Sequence, residues 1–152
     1  MERYNLLLNV INTSLVLLEK AVNGLELMSP TLDAMFSALL LNRVPPNWSD
    51  KAYPSLKPLA SWMLDLDERV KFMRRWAQKG HPKCFWLSGL FFPHGFMTGV
   101  LQTYARKHTK PVDLLKFGFD VRAETDASDI KKGPLEGVYI YGLFIEGAKW
   151  ST

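Results

Sequence analysis

The chain has 152 residues, 47% of them hydrophobic and 22% charged, with a formal net charge of +4. That length suits one domain burying roughly two thirds of its unfolded surface, and the composition excludes a disordered chain. The lone cysteine, Cys84, excludes an internal disulfide framework and fits a reducing compartment, while so modest a charge does not mark a nucleic-acid binder.

Met1-Glu2-Arg3-Tyr4-Asn5 opens polar, without the pattern of a secretory leader. Spacing then predicts a helix from Tyr4 to Leu25. Leu8, Ile11, Leu15, Leu18, Val22 and Leu25 recur at intervals of three and four, the seam that packs against a partner helix. This Leu8–Leu25 stripe is expected to pack within the chain, mainly on the face from Leu59 to Ala77. Leu6, Leu7, Val10, Val16 and Leu17 widen it, so cover on more than one side is expected.

Gly24 falls where that helix should stop. Ser29-Pro30 supplies an N-cap and a proline at the first helical position. Leu32, Met35, Phe36, Leu39 and Leu40 give the second helix its apolar face, and Pro45-Pro46 ends it. Trp48 to Pro54 reads as loop. A third helix is predicted from Pro58 to Lys79, with Leu59, Trp62, Met63, Leu66, Val70, Met73, Trp76 and Ala77 on one side. Gly80-His81-Pro82 closes it.

From Cys84 to Ala105 there is no charged residue, a length that could cross a bilayer. Gly89, Pro93, His94, Gly95, Gly99 and Gln102 break it up, so the reading is a buried strand-like segment, a turn and a helix to about Arg106. His94 is expected to cap or steady that helix start. Phe117, Phe119 and Val121 alternate with Gly118 and Asp120 as in a half-buried strand. Arg122 to Gly137 is polar and expected to be the least ordered stretch. Val138 to Phe144 reads as a strand apolar on both faces. Followed so soon by Thr152, it predicts missing strands and a truncated chain.

No catalytic, cofactor-binding or metal-binding residue is assigned. A phosphate-cradling Gly-x-x-x-x-Gly-Lys-Ser/Thr loop is absent from the sequence. His81, His94, His108 and Cys84 lack a metal-ligand spacing. Cys84 and His81 could form a thiol pair, but no acid accompanies them, and a buried apolar role is the stronger reading of Cys84. Asp65, Asp67 and Glu68 read as a solubilising cluster. The basic groups at Arg69–Lys83 and Arg106–Lys110 read as solvated faces, the second offsetting a helix dipole. An acidic protein surface is the next reading, ahead of nucleic acid.

Two motifs stand out: Phe85-Trp86-Leu87-Ser88-Gly89-Leu90-Phe91-Phe92-Pro93-His94-Gly95-Phe96-Met97-Thr98-Gly99-Val100-Leu101-Gln102 and Gly142-Leu143-Phe144-Ile145-Glu146-Gly147-Ala148-Lys149-Trp150. Met28-Ser29, Val44-Pro45, Trp48, Tyr53-Pro54-Ser55-Leu56-Lys57-Pro58-Leu59, Tyr104-Ala105-Arg106-Lys107 and Pro111-Val112-Asp113-Leu114-Leu115 accompany them in order. Together they resemble the C-terminal region of dynein heavy chains, axonemal in flavour, over nearly the whole chain. His94 departs from a more typical glutamine, Lys149 from arginine and Ser151 from an acidic or amide residue. Lysine cannot fork onto a carboxylate, so an ion pair at Lys149 would be weaker in geometry.

The resemblance implies an α+β fold: about four main helices over residues 1–110, then antiparallel strands of an incomplete β-barrel over 111–152, as one domain. It implies a non-catalytic structural and regulatory segment of an ATP-driven, minus-end-directed microtubule motor of cilia and flagella. Implied partners are the AAA+ ring of the heavy chain and, through the parent complex, dynein intermediate and light chains. Nucleic acid, membrane and cofactors are not implied, and the setting is the cytoplasm and the cytoskeleton of the axoneme. A free-standing helical adaptor using the Leu8–Leu25 stripe is the alternative.

Overall fold

The computed structural model describes residues 2–124 and 126–143. The chain forms two compact units, Met1–Met73 and Arg74–Thr152. In order come α1 (Glu2–Val22), α2 (Pro30–Leu40), α3 (Pro46–Ser49), α4 (Leu59–Lys79), β1 (Cys84–Trp86), α5 (Pro93–His108) and β2 (Tyr139–Tyr141).

In the first unit, α1 packs chiefly against α2 and α3, not mainly against the Leu59–Ala77 face expected from sequence. The buried ridge of α1 is Tyr4, Leu7, Ile11 and Leu18, rotated from the expected stripe. Of that stripe, Leu8, Leu15, Val22 and Leu25 are exposed, Leu15 at 41%. The reason is the breadth of apolar positions around α1: periodicity shows that a helix has an apolar face, not which part meets a neighbour. Tyr4, at the N-terminal end, enters the core and pulls the buried ridge toward Leu7. By length and composition α1 could also cross a membrane, the one such helix among the described residues.

Ser29 caps α2 as its sequence predicts, accepting from the Leu32 N–H at 3.3 Å, with Pro30 in the first turn. The helix ends earlier than the double proline. Leu41 and Asn42 finish it, Asn42 at φ 53°, a left-handed conformation that asparagine tolerates. Asn42 then starts α4: its carbonyl accepts from the Leu59 N–H at 2.9 Å and its side chain from the Ala60 N–H at 3.1 Å. Two orphan donors of the helix start are thereby satisfied.

The stretch read as loop from Trp48 holds the centre of this unit. Trp48 lies in α3, and its indole N–H donates to Ser14 Oγ at 2.8 Å. Trp48 and Tyr53 both stack on Trp62, with ring centroids 6.1 and 6.2 Å away. On α4 the buried residues are Trp62, Leu66, Arg69 and Phe72, while Met63 is exposed.

In the second unit, α4 ends at Gly80 with φ 81°, the left-handed position a C-cap glycine serves. Among the described residues the expected antiparallel strands are not formed. The sheet has two strands, and β1 and β2 run parallel with Cys84 opposite Tyr139, Phe85 opposite Ile140 and Trp86 opposite Tyr141. Phe117 to Val121, expected as a strand, forms none, and Phe119 and Val121 are exposed. Without a neighbour to take its backbone groups, an alternating segment has no ladder to join. The α+β class survives as a mainly helical chain with one small parallel sheet; no barrel is formed by the described residues. Phe144 and the residues to Thr152 lie outside the described residues.

Candidate functional site

Three places concentrate side chains of interest. The first is a buried ionic node in the Met1–Met73 unit. Asp65 Oδ2 accepts from Arg69 Nε at 2.6 Å, and its Oδ1 accepts from Lys57 Nζ at 2.6 Å. The Asp65 and Arg69 side chains are 8% and 11% exposed. The Arg69 guanidinium lies 3.7 Å from the centre of the Tyr53 ring, and Tyr4 and Tyr53 approach at 6.4 Å. Burial would raise the Asp65 carboxyl, but hydrogen bonds from Lys57, Arg69 and Tyr53 outweigh it and hold it below the usual carboxylate range. Burial, ahead of the neighbouring Asp65 carboxylate, pushes the Tyr53 phenol up.

This corrects the view of Asp65, Asp67 and Glu68 as one solvated cluster. Asp67 and Glu68 are exposed and pair with Lys71, whereas Asp65 turns into the core. Arg69 likewise leaves the solvated basic face for this node. Ionic groups so well paired help fix the packing of a small core.

The second place joins the two motifs that stood out in sequence. Trp86 stacks on Tyr141 with ring centroids 6.5 Å apart and 16° between planes. Gly89 and Gly142 both abut this indole: a Cβ on Gly89 would lie 2.3 Å from it, and one on Gly142 2.6 Å away. Gly142 also sits at φ 65°, a conformation glycine adopts without strain. Gly89 and Gly142 are therefore there because a tryptophan occupies the space their side chains would take.

The third place is a groove of about 550 Å³ in the second unit, lined by Trp76, Phe85, Phe96 and Tyr104 and, at its rim, Lys107 and Glu136. His108 Nε2 approaches Glu136 Oε1 at 2.7 Å, and Lys107 Nζ approaches it at 3.4 Å. Burial would raise the Glu136 carboxyl; His108 and Lys107 hold it low. The last turn of α5 carries Arg106, Lys107 and His108 before Thr109 ends it in a left-handed conformation, as the dipole argument requires.

Other sequence candidates do not converge. Cys84 is buried, and burial pushes its thiol up, away from reactivity. His81 is exposed and stands 5.9 Å from the Trp76 ring. His94 does not cap α5: Phe92 is the N-cap and no side chain takes part. Among the described residues no group of His, Cys, Asp or Glu could hold a metal ion. The sequence reading missed Trp48, Tyr53 and Asn42, whose signals were only an aromatic inside a loop and an asparagine after a helix.

Paired ions buried in the first unit and a tryptophan set against two glycines in the second are features of packing. A family model for the C-terminal domain of dynein heavy chains matches residues 1–152. The protein belongs to that family. It is 50% identical over 150 residues, 99% of its length, to Dynein axonemal heavy chain 1 of Mus musculus. Identity is 46% over 150 residues to Dynein axonemal heavy chain 12 of Homo sapiens, and 46% over 149 residues to Dynein axonemal heavy chain 3 of Mus musculus. These two matches cover 99% and 97% of the sequence, which spans only 4 to 5% of the length of the three relatives.

Proposed function

We propose that this chain is a non-catalytic structural and regulatory segment of an axonemal dynein heavy chain. On this reading it belongs to an ATP-driven, minus-end-directed microtubule motor of cilia and flagella, in the cytoplasm and the cytoskeleton of the axoneme. The observation that carries the proposal is 50% identity over nearly the whole chain to an axonemal heavy chain. Likeness that runs from one end to the other favours a heavy-chain segment over a free-standing helical adaptor.

The action is mechanical. The segment docks on the AAA+ ring of the heavy chain and biases the movement of its modules, meeting intermediate and light chains only through the parent complex. A boundary near residue 110, inside a single domain, belongs to the same reading. Leu8, Leu15 and Val22, at 37%, 41% and 59% exposure, leave an apolar flank on α1 that suits docking. Nucleotide is held by other modules, and this chain alone neither binds nor hydrolyses ATP.

The test is a binding titration of the purified chain against an axonemal heavy-chain fragment that ends where the homologous region begins. The chain binds, and Leu15→Asp weakens binding by about tenfold or more, equivalent to about 1.4 kcal/mol, while the thermal midpoint stays unchanged. No binding, or binding indifferent to the α1 flank, would remove the proposal's docking face.

A further inference from the structure

Residues 69–112 contain nine Lys or Arg and no Asp or Glu. The stretch therefore carries more than the whole net charge of +4, and the rest of the sequence is net acidic. Part of this stretch lines the aromatic groove, Lys107 among its residues. Trp76 and His81, from the end of α4 and just beyond it, and Tyr104 and Lys107, from the end of α5, line the same groove. Arg75, Lys79 and Lys83 neighbour the first pair in sequence, and Arg106 and Lys110 the second. These five are exposed and, among the described residues, take part in no ion pair.

We infer that this groove binds an acidic protein segment anchored by one aromatic or aliphatic side chain. Two facts of physical chemistry select that occupant. Exposed ion pairs contribute little each, so the cations steer and orient carboxylates without supplying affinity on their own. Affinity needs an apolar anchor in a pocket, and the groove offers one. Its rings turn against one another, Trp76 on Phe85 at 72° and Phe85 on Phe96 at 45°, with centroids 5.1 and 4.8 Å apart. That arrangement makes a socket for a side chain and not the row of parallel faces on which nucleic-acid bases stack. The inference is independent of docking on a heavy-chain ring.

The experiment uses the full-length protein and a fluorescent, glutamate-rich peptide carrying a single phenylalanine, followed by anisotropy. The peptide binds, and binding weakens as salt rises. Replacing its phenylalanine by alanine, or making the Arg75→Glu, Lys79→Glu pair in the protein, weakens binding by about tenfold or more. Gly99 lines the groove, and a Cβ there meets nothing within 4 Å. Gly99→Leu therefore puts a side chain into the groove from an open Cβ position and abolishes binding while circular dichroism is unchanged. Thr103→Leu, at an exposed rim position, is a second block should Gly99→Leu disturb the helix. The inference is overturned if the peptide does not bind, if a folded groove-filling variant binds it as before, or if duplex DNA or anionic vesicles bind as tightly as the peptide.

Discussion

Trp86 lies against Gly142 so closely that a Cβ on the glycine would meet the indole at 2.6 Å. The contact joins β1 to the residue after β2 and explains why two motifs far apart in sequence belong together. Gly89 abuts the same ring more closely still. Gly89→Ala and Gly142→Ala should each destabilise the protein by about 1–3 kcal/mol, the range for overpacking. Gly142→Ala adds the strain of a side chain at φ 65°. Chemical denaturation of both variants measures this. Unchanged midpoints would show that the indole moves aside freely.

The Asp65–Arg69 pair gives a second prediction. Asp65→Ala leaves Arg69 buried without its counter-charge, and should cost about 3–5 kcal/mol. Lys57 reaches the same carboxylate from a side chain that is 51% exposed, so Lys57→Ala should cost no more than about 1 kcal/mol. Denaturant titration of both variants separates a buried pair from a surface one.

The same carboxylate makes stability depend on acid. Its folded pKa is lowered by Lys57, Arg69 and Tyr53 against the opposing effect of burial. A lowered folded pKa contributes stability that is complete above the ordinary aspartate value of about 3.9. That contribution is lost as pH falls through the folded value. The thermal midpoint should therefore drop below about pH 4, and the Asp65→Asn variant should show a shallower acid limb. Parallel limbs in the two proteins would place the acid sensitivity elsewhere.

Core and surface of α1 are distinguished by one pair of variants. Leu7 is 0% exposed and Leu15 41%. Leu7→Ala should cost about 2–5 kcal/mol as a buried leucine. Leu15→Ala should change stability by no more than about 0.5 kcal/mol. Equal losses would show that the flank is covered in solution, contrary to the structure.

Local signals in the sequence placed the helices well. Ser29-Pro30 marked the start of α2 and Gly80 the end of α4, because caps and left-handed glycines act through neighbouring residues alone. Packing was less legible. The leucines of α1 surround too much of the helix to name the ridge that Tyr4 and Leu7 select. Trp48 became core only because Trp62 and Ser14 were brought to it by tertiary structure. The strand expected at Phe117 carries the right alternation, but pairing depends on a neighbour that alternation cannot supply. Gly89 and Gly142 were visible as motif residues, while their reason, the volume of Trp86, was visible only in the fold.

The most direct measurement is the ATPase rate of an axonemal dynein heavy chain lacking its own C-terminal region, with microtubules, before and after adding this protein. The account predicts that the protein alone releases no phosphate and that adding it changes the motor's rate, an effect weakened by Leu15→Asp. Magnesium-dependent turnover by the purified protein alone, or a motor rate indifferent to its presence, would contradict a non-catalytic segment acting on the heavy-chain ring.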